Sequence, residues 1–291
     1  MRGDTIAIGS AYPKSCHRTT IIRPPQFSPL SMFCHISTLL RYRDLIYTLG
    51  VYRIKLRYKQ SLLGVSWAIV QPLSLMLVYT VVFSFIARVP SGGVPYALFA
   101  YTALLPWTYF ATSLTNATHG IVTYSHLVTK VYLPREILVF TYIIVALFDL
   151  LIASTILFSL LVYYHIPLTV DACYAFPILL VLTMFIAAIA LMFCAVQVHF
   201  RDVGIAMPLL LQLWMFATPV VYPLSSVSPR FRHLYMLNPM VAIIENFRRV
   251  ILQGVAPEAH SFWMSASVSA VLLLASYVYF KYIEANMADR I

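Results

Sequence analysis

Side chains equipped for chemistry are few and scattered in this chain. A single acid, Asp149, stands inside the long apolar runs that dominate the sequence. A carboxylate near the middle of a membrane span costs about 2.5–3.5 kcal/mol on insertion scales, so it has to face protein or water. A proton relay would need a second intramembrane acid or a basic partner, and no run supplies either; a role in packing or in protonation is the expectation. His119, His126, His165 and His199 fall at or near the ends of runs, and no pair has a helix spacing backed by a carboxylate that would hold a metal. Cys16, Cys34, Cys173 and Cys194 lack metal-ligand and redox spacing and read as small hydrophobes. A Gly-x-x-x-x-Gly-Lys-Ser/Thr phosphate cradle is missing, so the chain is not expected to hydrolyse ATP in the P-loop manner, to hold a cofactor or to act as an enzyme. The resource that remains is aromatic: 20 tyrosines and 18 phenylalanines, whose ring faces stack and whose hydroxyls hydrogen-bond.

The elements that carry these residues are membrane spans. Hydrophobic residues make up 61% of the 291 and charged ones 10%, with a mean hydropathy of +0.82, too little polar surface for a water-soluble globule. Val65–Ala87, Tyr96–Tyr124, Ile137–Tyr164, Ala172–Phe200, Val203–Tyr222 and Phe262–Phe280 are the apolar runs. Crossing the hydrocarbon core takes about 20 helical residues, so six transmembrane helices are expected, the fifth interrupted by Pro208, Pro219 and Pro223. The fold class is an all-α integral membrane protein. Six crossings with the amino terminus inside put fifteen of the 20 basic residues on the inner face and five, Arg88, Arg230, Arg232, Arg248 and Arg249, outside. That asymmetry places both termini in the cytoplasm and explains the +10 net charge without nucleic acid, with anionic lipid headgroups as a second attraction.

Residues 1–37, rich in Pro, Ser, Thr and Arg without a sustained period, read as a disordered cytoplasmic tail and not as a cleavable signal; 38–291 form one membrane domain. Tyr42, Leu45, Leu49, Tyr52 and Leu56 recur at helical spacing among Arg41, Arg43, Arg53, Lys55, Arg57 and Lys59, which predicts an amphipathic helix in the membrane interface. The alternation of Arg53, Lys55, Arg57 and Lys59 with apolar neighbours is strand-like, but long basic side chains snorkel from most of a helix circumference, and helix is preferred. Beyond the fifth span, Asn238 is placed to cap a helix that starts at Pro239 and stops at Gly254, with Glu245 and Arg249 spaced for an i,i+4 pair. About 15 residues at 1.5 Å each are too short to cross. A re-entrant pair on the outer side is expected, its first half formed by the end of the fifth span; the alternative is a helix resting on headgroups.

Several strings, in order along 39–283, carry a family resemblance: Tyr58-Lys59-Gln60-Ser61-Leu62-Leu63-Gly64 with Trp67 and Gln71-Pro72-Leu73, Lys130-Val131-Tyr132-Leu133-Pro134-Arg135-Glu136, Phe200-Arg201-Asp202-Val203, and Leu237-Asn238-Pro239 with Arg248. The chain resembles the membrane subunit of ABC-2-type exporters of bacterial surface polysaccharides, the permeases for O-antigen, capsule and teichoic acid. The resemblance implies a homodimer in the bacterial cytoplasmic membrane, docked to two copies of a cytoplasmic ABC ATPase that binds ATP and magnesium, with a lipid-linked glycan moving between the two halves. Lys130, Tyr132, Leu133, Pro134, Arg135 and Glu136, joined by Arg201 and Asp202, are then the expected ATPase-coupling residues. Trp67, Tyr79, Phe83, Trp107, Tyr109, Phe110, Trp214 and Phe216 are candidates for an aromatic path on which pyranose C–H faces stack. Arg248 and Arg249 are candidates for guiding a pyrophosphate headgroup at the outer side. An exporter of a drug or a plain lipid is the alternative, and a membrane-embedded enzyme using Asp149 and a histidine ranks below it.

Overall fold

The computed structural model describes residues 42–59, 61–90, 93–123 and 134–287. The tail over 1–37 and Lys130, Tyr132 and Leu133 lie outside them. Among the described residues all regular structure is helical. Helix α1 (Arg43–Lys59) has Asp44 in its first turn and Arg57 and Lys59 in its last, each opposing the helix dipole. Next come α2 (Trp67–Tyr79), which widens into a π-helical stretch over Thr80–Ile86, then α3 (Tyr96–Thr123) and α4 (Glu136–Tyr163). A 3₁₀ turn over Val170–Tyr174 leads into α5 (Ala175–His199), and α6 (Asp202–Phe216) follows after a break at Phe200. Two short helices, α7 (Pro229–Met236) and α8 (Pro239–Arg248, extended by a π turn over Arg249–Gln253), precede the last, α9 (Ala259–Met287).

Among the described residues four segments are long and apolar enough to cross a membrane: Gly64–Ile86, Glu136–Tyr163, Val170–His199 and Ala259–Glu284. The other two expected crossings take a different form. Helix α3 is as long as α4, at 28 residues, but carries many Thr and Tyr side chains because it runs through the centre of the bundle, packed on α4 and α5. Inside the protein several of its polar groups find partners: Tyr101 donates to the Ala153 carbonyl at 2.9 Å, Tyr109 lies 3.1 Å from the Thr183 hydroxyl, and Thr102 and Thr118 bond back into their own helix. Helix α6 is apolar but has only 15 residues, about 22 Å, and gives way to turns at Ala217.

The expected half-helix at the end of the fifth run is replaced by those turns. Thr218, Val220 and Val221 are buried there. Helix α8 does form as the sequence predicts. Asn238 accepts from the Met240 N–H at 3.1 Å with Pro239 at the first position, and Gly254, at φ 62°, ends it in the left-handed region that glycine adopts without strain. It does not rest on headgroups: all of its residues except Glu245 are buried, against α9, α3 and α5.

Helix α1 is a helix and not a strand, but its protein-facing side differs from the expected apolar stripe. Tyr42, Leu45 and Leu49 pack on the core, whereas Tyr52 and Leu56 are exposed and Arg53 and Tyr58 are buried instead. The cause is α4, which offers this helix an aromatic ring and a carboxylate: the Arg53 guanidinium lies 3.6 Å from the centroid of Tyr142, a cation–π contact.

Candidate coupling and transport site

Asp149 is the centre of the α1–α4 contact. Arg57 donates to one of its oxygens at 2.7 Å and the Tyr58 hydroxyl to the other at 2.5 Å. The basic partner missing from the spans comes from α1, which corrects the expectation of an unpartnered acid. Burial, then the hydrogen bond and charge of Asp149, hold the Tyr58 phenol far above its usual range, so it remains a donor. Beside this pair a cavity of about 30 Å³, lined by Gln71, Thr108, Thr112 and Asp149 among others, has the size and polarity to hold water.

Of the expected coupling residues, Arg201 and Asp202 are both exposed where α5 turns into α6. Their turn is held from within: buried Gln197 donates to the Arg201 carbonyl at 3.2 Å. Gly204, one turn later, lies so close to α3 that a Cβ there would sit 2.3 Å from His119 Cε1 and 2.8 Å from Gln197 Nε2. Pro134 and Arg135 are half-buried at the start of α4. Glu136 departs from expectation. It is 1% exposed, and the Lys281 ammonium bonds both its oxygens, at 2.7 and 2.8 Å, so it has no surface to give a partner protein. Lys281 also bonds Glu284 at 2.7 Å. Glu284 in turn accepts from the Arg135 N–H at 3.1 Å, and its main-chain carbonyl accepts from the Arg135 guanidinium.

The aromatic candidates separate into two groups. Trp107, Tyr109 and Phe110 are buried in the core, with Phe110 stacked on Phe185 at 5.8 Å and edge-on to Trp214 at 5.0 Å. Trp67 and Phe216 are exposed. Tyr79 and Phe83, an edge-on pair at 6.0 Å, and Trp214 are half-buried. Trp214 borders a cleft of about 530 Å³ whose wall includes Phe185, Tyr235, Asn238, Val268 and Leu272.

On the side of α7 and α8 the arginines also divide. Arg248, 3% exposed, donates to the Pro219 carbonyl at 2.7 Å and to the Val220 carbonyl, and lies 3.8 Å from the Phe99 ring centroid. Desolvation lowers it to about 10, which leaves it charged at neutral pH. It fastens the turns after α6 and has no access to a headgroup. The expected Glu245–Arg249 pair is replaced by Glu245–Arg248 at 3.9 Å, because Arg249 turns to the Ala256 carbonyl at 2.9 Å. Arg230 and Arg232, on α7, are exposed.

Charged groups thus join helix ends, apolar helices fill the rest, and among the described residues no group of His, Cys, Asp and Glu is placed to hold a metal. Residues 44–252 match the family model described as ABC-2 type transporter. The chain belongs to the ABC-2 transporter family. Members are membrane subunits of transporters and not themselves enzymes, so the apolar helices belong to a multi-pass protein of the inner membrane. The ABC-2 chain is 31% identical over 259 residues, 88% of its length and 98% of the relative's, to the O-antigen export system permease protein RfbA of Myxococcus xanthus. It is 26% identical over 213 residues, 73% of its length and 82% of the relative's, to a Klebsiella pneumoniae protein of the same name.

The residues missed by sequence reasoning in this ABC-2 chain are Arg57, Tyr58, Lys281 and Glu284. A signal did exist: in a sequence with so few acids, Asp149 and Glu136 each had to be matched by a basic residue from another element, and Arg57 and Lys281 stand at the ends of elements next to spans.

Proposed function

We propose that the chain is the permease of an ATP-driven exporter that carries a lipid-linked, O-antigen-like glycan across the cytoplasmic membrane. The observation that carries the reading is the near end-to-end likeness to an O-antigen export permease, 98% of whose length is covered. A homodimer, two cytoplasmic ABC ATPase subunits, six crossings with α3 and α6 as the second and fifth, and both termini inside complete the proposal. The turns after α6 together with α8 form the outer re-entrant element.

Lys130, Tyr132, Leu133, Pro134 and Arg135, with Arg201 and Asp202, meet the ATPase. Glu136 serves behind them as a buried anchor. Trp67, Tyr79, Phe83, Trp214 and Phe216 line the glycan path, with the cleft beside Trp214 as one part of it. Arg249, Arg230 and Arg232 meet the anionic headgroup on the outer side, where a guanidinium fork suits phosphate.

The test is made in cells that produce the chain with its ATPase. Leu133→Asp and Arg135→Glu should remove glycan from the cell surface, retain lipid-linked glycan inside and weaken ATPase association, while the permease stays inserted. Surface glycan unchanged in cells lacking the chain altogether would reject the glycan reading, and a defect confined to drug or phospholipid export would establish the other cargo.

A further inference from the structure

Helix α9 is attached at its two ends by polar groups of different chemistry. At one end Lys281 lies between the carboxylates of Glu136 and Glu284, at 2.7 Å from each, and Arg135 closes the group by bonding Glu284 through its N–H and its guanidinium. One cation, Lys281, thus bridges two carboxylates, with Glu136 fully enclosed and the Lys281 side chain only 11% exposed, while the Arg135 guanidinium holds the main-chain carbonyl of Glu284. Apart from this cluster α9 and α4 share hardly any packing; α9 lies mainly on α5 and α8. A buried ion cluster is a poor source of net stability, since apolar residues of similar volume do as well or better. Its geometry does fix one helix against another at a single register.

At the opposite end, Asn246 of α8 donates to the Ser261 hydroxyl at 3.0 Å and accepts from the Glu258 N–H at 2.8 Å. Asn246 is buried, so these bonds are not exchanged for water at no cost. Helix α9 has neither glycine nor proline over Ala259–Met287, so about 30 Å of continuous helix separates Ser261 from Lys281. A stiff helix fixed at both ends transmits displacement along its axis.

We infer that α9 is a connecting rod between the inner end of α4 and α8, with Glu136, Lys281 and Glu284 as its inner joint and Asn246 with Ser261 as its outer one. Lys281, Glu284 and Asn246 are positioning residues: they touch neither cargo nor nucleotide but make α8 follow the start of α4. The inference rests on the proposed ATPase contact ahead of α4.

The experiment uses the complete complex of permease and ATPase in proteoliposomes, with ATP hydrolysis and glycan transfer counted on the same particles and expressed per assembled complex. Glu284→Gln and Asn246→Leu lie at opposite ends of α9, and both should keep the ATPase bound and hydrolysing while glycan moved per ATP falls about fivefold or more. Lys281→Arg, which keeps a cation between the carboxylates, should retain wild-type coupling. Unchanged transfer per ATP in either joint variant would overturn the rod. Loss of ATPase association in Glu284→Gln would also overturn it, by making that residue a docking contact. Failure of the underlying contact reads differently: Leu133→Asp would then keep its ATPase, whatever α9 does.

Discussion

Replacing Asp149 with leucine should improve membrane insertion and yet release α1. In the folded chain the Arg57 side chain is 38% exposed while that of Asp149 is 14% exposed, so solvent screens the ion pair from the Arg57 side and its contribution is about 1 kcal/mol. The buried Tyr58 hydroxyl weighs more. Without the carboxylate it has no acceptor, at a cost of about 1–3 kcal/mol. Together these loosen α1 from α4 by about 2 kcal/mol, a change of about thirtyfold in the docking equilibrium. Asparagine keeps an acceptor for Tyr58 and should cost only about 1 kcal/mol. Hydrogen exchange of the permease in lipid nanodiscs reads this locally: amides of Arg43–Lys59 should exchange about thirtyfold faster in Asp149→Leu and severalfold faster in Asp149→Asn, with α5 unaffected. Equal exchange in wild type and Asp149→Leu would refute the reasoning. Export that follows the titration of a carboxylate, at unaltered α1 exchange, would return Asp149 to a proton relay.

Gly204→Ala forces a methyl group against His119, 2.3 Å away in the present geometry, and should destabilise the purified permease by about 1–3 kcal/mol, read as a lower Tm that His119→Ala partly restores. Arg248→Gln leaves the buried Pro219 and Val220 carbonyls short of a donor and should lower protein abundance through a loss of about 2 kcal/mol or more. Arg249→Gln should leave abundance unchanged and retain lipid-linked glycan inside the cell; full export by that variant rules out headgroup guidance. For topology, Ala259→Cys should react with an impermeant thiol reagent from outside intact cells and Ala285→Cys only in opened ones. Labelling of Ala285→Cys in intact cells reverses the orientation.

Apolar runs and helix signals were readable because each depends on local chemistry. The Asn238 cap, Pro239 start and Gly254 stop all stand where the sequence placed them. Helix α3 is less apolar than the four long apolar segments, since a central helix satisfies tyrosines and threonines internally. Pairing across the fold was hidden for a related reason. The helical period of α1 identified its apolar residues, but which of Leu56, Arg53 and Tyr58 faces protein depends on Tyr142 and Asp149, nearly a hundred residues away. Arg248 and Arg249 are neighbours of identical type in the sequence, and only packing distinguishes the buried one from the accessible one. Trp107 and Phe110 likewise share their chemistry with Trp67 and Phe216 and differ in what surrounds them.

The central claim is that this chain, driven by a separate ATPase, moves a lipid-linked glycan. Inside-out membrane vesicles containing the chain and its ATPase test it most directly, by measuring ATP-dependent delivery of lipid-linked glycan to the vesicle lumen. The account predicts delivery that stops when either protein is omitted or when ATP is replaced by a non-hydrolysable analogue. Delivery that continues without this chain, or glycan that stays outside while the vesicles transport a drug or phospholipid, would contradict it.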